Sequence, residues 1–159
     1  ISMDTGNWFA NFTINKGTKD GVQKDCNVIA GSGLVGIVTE AGSNWATVRS
    51  IIDDTSNVSA MTMSTSDRCI VAGDLRLIDE GKLQFIHLKD KDDKIQEGEK
   101  IVTSDVSEKF LPGILIGYVS EIKEDPNNLT KTGTLTPAVD FEHIEEVLVI
   151  LDKKQSAGE

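Results

Sequence analysis

Residues that most often carry catalysis, metal ligation, cross-linking and stacking are scarce in this 159-residue chain, which has two His, two Cys, three Pro and 5% aromatics. With His87 and His143 as the only imidazoles, a Ser-His-Asp arrangement has few ways to assemble. Cys26 and Cys69 lie 43 positions apart, which is neither a metal-ligand spacing nor a CxxC redox pair. Two buried thiols are expected, with a disulfide as the alternative. No stretch approaches the ~18–20 consecutive apolar residues of a membrane helix, and no secretion signal is visible at the start. Basic residues are also in deficit: 16 Lys and Arg stand against 26 Asp and Glu, for a net charge of −10. Nucleic acid and anionic lipid reward the opposite balance. A basic partner or a peptide fits better.

What the chain has in quantity is β-branched residues. Val, Ile and Thr number 42, and with little uninterrupted helix-forming sequence they point to an all-β fold. The length suffices for one good core or two small ones, since ~75 residues is near the limit at which a fold stands alone. A shift of 73 positions carries Phe12, Val22 and Val28 onto Phe85, Ile95 and Ile101; a further slip of eight carries Val35, Gly36, Ile37 and Val38 onto Ile116, Gly117, Tyr118 and Val119. The repeat implies one unit built twice, as two small six-stranded β-barrels packed side by side. Gly36 and Gly117 fall at matching strand centres, where small barrels bend or admit a neighbouring backbone.

The expected division is a patternless linker remnant over 1–7, where Ile1, Ser2, Met3 looks like a truncation or expression scar, barrel one over 8–74, barrel two over 75–152 and a frayed tail over 153–159. Strands are expected at 8–14, 25–30, 34–40, 46–52, 57–64 and 70–72, then at 75–78 and 83–88 around an Asp79, Glu80, Gly81 hairpin turn. The rest are expected at 100–103, 114–123, 132–135 and 146–151, with Asp140 capping one helical turn over 141–144.

Few residues are placed for chemistry. Two packed barrels are also the framework of chymotrypsin-like proteases, but His87 stands in the second repeat, whereas that arrangement takes its base from the first barrel. No serine has the glycines of an oxyanion turn, Thr103, Ser104, Asp105 being the nearest approach. Asp90, Asp92 and Asp93 lack the spacing of a calcium loop and are interrupted by Lys89, Lys91 and Lys94. Gly31, Ser32, Gly33 has no following Gly-Lys-Ser/Thr and reads as a turn. Hence no catalytic residue, cofactor or metal is expected. Trp8 and Phe9 are adjacent, so an alternating strand points one of them away from the barrel, and Trp45 follows a Gly-Ser-Asn turn. These three are the candidate partner-binding residues.

In order, Asn7, Trp8, Phe9; Phe12 to Gly17; Lys19 to Val22; Gly33 to Val38; Gly98 to Ser104; Phe110 to Gly113 with Ile116, Gly117; and Pro137 to Phe141 leading to Glu145 to Ile150 resemble the extracytoplasmic region of the MreC family of bacterial rod shape-determining proteins. The likeness spans about residues 7–151. It departs at Asp105 to Lys109, where the family usually has a glycine-rich segment.

The resemblance implies the double barrel, a coiled coil and membrane helix on the N-terminal side of this piece, and self-association into dimers or filaments. It also implies a non-enzymatic scaffold outside the cytoplasmic membrane, coupling MreD and the cytoskeletal MreB system to a class B penicillin-binding transpeptidase. The competing readings are a double-barrel hydrolase with an unrecognised site and a small-ligand or glycan-binding module. Few aromatics and no stacking platform speak against the latter.

Overall fold

A computed structural model describes residues 11–31, 33–53, 56–78, 80–89, 95–124, 130–141, 144 and 146–152. Trp8 and Phe9 lie outside the described residues, as do parts of the turn expected over 141–144. Eleven strands run in chain order: β1 (Asn11–Ile14), β2 (Asn27–Ala30), β3 (Gly33–Ala41), β4 (Ala46–Ser50), β5 (Asn57–Thr62), β6 (Arg68–Ala72), β7 (Leu83–Leu88), β8 (Lys100–Thr103), β9 (Leu115–Glu124), β10 (Lys131–Pro137) and β11 (Leu148–Ile150). The fold is all-β, as the wealth of β-branched residues requires.

Six strands close on themselves. β9 pairs β10, then β7, β6, β5 and β8 follow, and β8 pairs β9 again, every junction antiparallel. The other five form an antiparallel sheet in the order β1, β4, β3, β2, β11. A parallel contact between Gly33 of β3 and Leu115 of β9 joins the two. Two closed barrels were expected; the described residues form one closed barrel and one five-stranded sheet with open edges at β1 and β11.

The repeat is visible in the hydrogen bonding. β1 on β4 corresponds to β7 on β10, β2 on β3 to β8 on β9, and β3 on β4 to β9 on β10. Even the irregularities match, because the register of β2 against β3 shifts between Val28 and Ile29 and that of β8 against β9 between Ile101 and Val102, 73 positions on. The fifth strands are exchanged: β5 pairs β8 and β11 pairs β2. Both flanks of β4 are occupied by β1 and β3, so the chain leaving it cannot extend its own sheet there and crosses to β8. The boundary drawn near Gly73 along the chain and the division drawn by hydrogen bonds are therefore different partitions.

One segment differs from the strand expected at 75–78, where a single helical turn, α1 (Leu75–Ile78), follows β6. Asp74 explains it: its carboxylate accepts from the Arg76 N–H at 2.9 Å, and its carbonyl accepts from Leu77 N at 2.9 Å. A short polar side chain that satisfies the freed N–H groups starts a helix in preference to a strand. Gly81 makes the turn that follows, at φ 69°.

Inward residues of both sheets, from Phe12 and Val28 to Phe85 and Ile101, belong to one continuous apolar cluster. Each large side chain removed from water there is worth ~1.5–3 kcal/mol. Gly36 and Gly117 let the sheets close up. A Cβ at Gly36 would overlap the Arg49 carbonyl and lie 2.8 Å from Ser50 Cα; at Gly117 it would overlap the Thr136 carbonyl and lie 3.0 Å from Pro137 Cα. The same strand centre thus meets the same neighbouring backbone in each repeat. Gly36→Ala and Gly117→Ala should each lower the stability by at least about 1–3 kcal/mol, read as a shift in urea midpoint, whereas Gly31→Ala, with nothing within 4 Å of a Cβ but φ at 59°, should cost less.

Candidate interaction surface

Trp45 stands at the tip of the β3–β4 hairpin and is 37% exposed. Its indole lies against Gly42, where a Cβ would overlap the ring, and its carbonyl accepts from Gly42 N at 2.9 Å. The 17–19 segment docks on the same turn through Thr18 N to Gly42 O at 2.8 Å and Lys19 N to Ser43 O at 3.0 Å. One part of the ring therefore braces the hairpin, and the rest faces water.

Two further apolar patches were not singled out from the sequence. On the outside of the barrel, Met63 (60% exposed) and Tyr118 (38%) flank Lys100: Met63 N donates to the Lys100 carbonyl at 2.9 Å, and Tyr118 is the register partner of Lys100. On the first sheet, Leu148 in the edge strand β11 is 65% exposed and Leu151 just beyond it 53%. The signal was present in the unbroken run Val147 to Leu151, since a strand cannot bury both faces of such a run at an edge. Among the described residues β1 and β11 are each paired on one side only, which leaves backbone groups available for an added strand.

Groups that could have done chemistry are spent on structure or far from one another. Thr103 Oγ1 donates to the Leu111 carbonyl at 2.6 Å and accepts from Ile114 N at 2.8 Å, and Ser104 Oγ accepts from Val106 N at 3.1 Å. His87 is exposed on β7 with φ 59°, beside a register shift against β10. His143 lies outside the described residues. No group of three or more His, Cys, Asp or Glu side chains is gathered among the described residues. Both cysteines are buried and unpaired, Cys26 just before β2 and Cys69 in the barrel strand β6. Burial pushes the Cys69 thiol up to about 12, the opposite of what a nucleophile needs.

The loop 104–113 is fixed by a buried amide that sequence reading passed over. Asn27 in β2 donates from Nδ2 to the Lys109 carbonyl at 2.9 Å and accepts at Oδ1 from Leu111 N at 2.8 Å. Ser107 Oγ accepts from Phe110 N at 3.1 Å within the same loop. The second half of the chain is thereby latched onto the first sheet.

The family model for the rod shape-determining protein MreC, barrel core, matches residues 1–151. The chain belongs to the MreC family. It is 33% identical over 164 residues to the cell shape-determining protein MreC of Listeria monocytogenes, covering 99% of this chain and 53% of that protein. A solved MreC structure from Listeria superposes with a TM-score of 0.83 at 34% identity, covering 99% of this chain and 73% of that one. The crystal structure of MreC from Pseudomonas aeruginosa gives 0.80 at 25% identity, covering 94% of each chain. The MreC in a complex with penicillin-binding protein PBP2 from Helicobacter pylori shares the fold at a TM-score of 0.64 and 16% identity, over 83% of this chain and 79% of that one. This chain spans about half the length of these curated MreC relatives. No helix among the described residues is long and apolar enough to cross a membrane.

Asn27→Ala strands the Leu111 N–H and the Lys109 carbonyl; it should cost about 1–3 kcal/mol and speed amide exchange across 104–113 more than in β7. The Cys69 thiol makes a second, pH-dependent prediction. Its pKa is raised in the fold from 9.0 to about 12, so the unfolded chain loses this proton first as pH rises. The resulting stabilisation is complete below pH 9 and should fall away between about 9 and 12. Urea titrations at stepped pH should show a shallower alkaline decline in Cys69→Ala than in the parent.

Proposed function

We propose that this chain is the non-enzymatic contact module of a cell-elongation scaffold. It binds a class B penicillin-binding transpeptidase, associates with further copies of itself, and so helps to control cell shape and peptidoglycan synthesis. The observation that carries the reading is the pairing of family membership with exposed apolar side chains beside open strand edges. The complex of a distant relative with PBP2 supports the choice of partner. Coupling to MreD and, indirectly, to the MreB system rests on the family resemblance alone. So does a position on the extracytoplasmic side of the cell membrane, held by a membrane helix on the N-terminal side of this segment. The hydrolase reading is set aside, since Thr103 and Ser104 are engaged in their own loop and Cys69 is held as a thiol.

Trp8, Phe9 and Trp45 are proposed as contacts with the transpeptidase, placing the first half of the chain at that interface. Aromatic anchors of this kind commonly account for ~2 kcal/mol or more of binding, about a thirtyfold change in affinity. Light scattering after size exclusion, with and without a class B transpeptidase, should give a complex of defined stoichiometry. Each alanine variant should weaken it by about that factor while leaving the far-ultraviolet spectrum and urea midpoint nearly unchanged, with Trp45→Ala losing slightly more stability because its ring braces the hairpin. Normal affinity in all three variants would mean that the contact lies elsewhere.

A further inference from the structure

Between the first sheet and the loop 104–113 lies a cleft of about 390 Å³, within the range of small-ligand sites, roughly 300–1,000 Å³. Its charge is opposite to that of the molecule around it. Lys24 from the turn before β2, Arg49 from β4 and Lys109 from the loop line it against one carboxylate, Asp25, whereas the whole chain carries −10. None of these three cations makes an ion pair among the described residues. The low-dielectric part of the wall comes from Ile37 and Phe110, both nearly buried.

A neutral donor stands beside the cations. Ser56 lines the same cleft and is only 9% exposed. Its backbone N–H is satisfied by the Asp53 carbonyl at 2.9 Å, while its hydroxyl, with no hydrogen-bond partner among the described residues, stays accessible and free to donate to a ligand. The cleft is also held in shape. Asn27 fixes the Lys109 carbonyl, and Asp25, at a φ of 74° that a non-glycine residue seldom adopts, is anchored by its N–H to Val38 O at 2.8 Å.

We propose that this cleft binds a small organic phosphate, with the Ser56 hydroxyl and the Arg49, Lys24 and Lys109 cations taking the phosphoryl oxygens. Three cations against one carboxylate leave an excess of two positive charges, which matches a phosphate monoester dianion. Donors arriving from four separate segments suit a tetrahedral oxyanion better than a planar carboxylate, which a single guanidinium can satisfy. Asp25, as an acceptor, suits a hydroxyl on the ligand body. The overall negative charge repels extended polyanions while leaving a short ligand to be held locally.

The test is a nitrogen–proton NMR titration of the whole chain with glycerol 3-phosphate, inorganic phosphate and an acidic hexapeptide, at physiological salt. Saturable shifts centred on residues 24, 25, 49, 56 and 109 are expected with glycerol 3-phosphate. Arg49→Ala and Lys109→Ala should each weaken binding about 10- to 100-fold, Arg49→Lys less, and Ser56→Ala should weaken it without changing the urea midpoint. Inorganic phosphate binding as tightly as the ester identifies free phosphate as the ligand; weaker binding identifies the ester. The proposal is overturned if neither phosphate probe saturates, if the substitutions leave binding unchanged, or if the peptide alone binds. None of these outcomes bears on the transpeptidase contact, which is measured separately.

Discussion

The two ladders β5–β8 and β11–β2 carry each half of the chain into the sheet of the other. A strand lent to the opposite sheet cannot be withdrawn without opening that sheet's edge, so neither half can unfold alone at small cost. The parallel contact of Gly33 with Leu115 and the Asn27 latch on 104–113 add bonds across the same junction. This coupling makes a molecule with few aromatics and no disulfide behave as one cooperative body, despite repeats of about the smallest size at which a domain stands alone. Contact proteins need that rigidity, because a surface held in one shape loses little entropy when a partner docks.

Much of the architecture was legible because the repeat is written in residues with a single steric meaning. Phe12 and Phe85 mark matching inward positions, and Gly36 and Gly117 mark where one backbone meets another. The exchange of β5 and β11 was not legible. Alternation tells which face of a strand is buried and says nothing about which strand lies beside it. The segment Leu75 to Ile78 was misread for a related reason: its Leu-Arg-Leu-Ile pattern satisfies a period of two, while the deciding interaction comes from Asp74 outside the pattern.

Surface residues divide in the same way. Trp45 was visible because a tryptophan after a turn is conspicuous, and the structure gives it a bracing role besides its exposure. Met63 and Tyr118 look like ordinary strand residues until the register shows which way they face, whereas Leu148 belongs to an apolar run that no edge strand can bury on both faces. Asn27 is the converse case. One amide in an apolar strand carries no distinguishing signal, and its importance lies in partners more than 80 positions away.

Charge further restricts what such a surface can contact. A chain with a net charge of −10 is repelled at long range from polyanionic surfaces, and its apolar patches then decide specificity at short range. The positive cleft is compatible with this because it is recessed and small: at physiological salt the field of distant carboxylates is screened beyond ~8 Å, so a ligand inside responds chiefly to Lys24, Arg49 and Lys109. Its walls come from both halves of the chain, the first sheet on one side and the 104–113 loop on the other. The junction that holds the repeats together is therefore also the one that shapes the cleft, and a perturbation of the Asn27 latch must be felt at both.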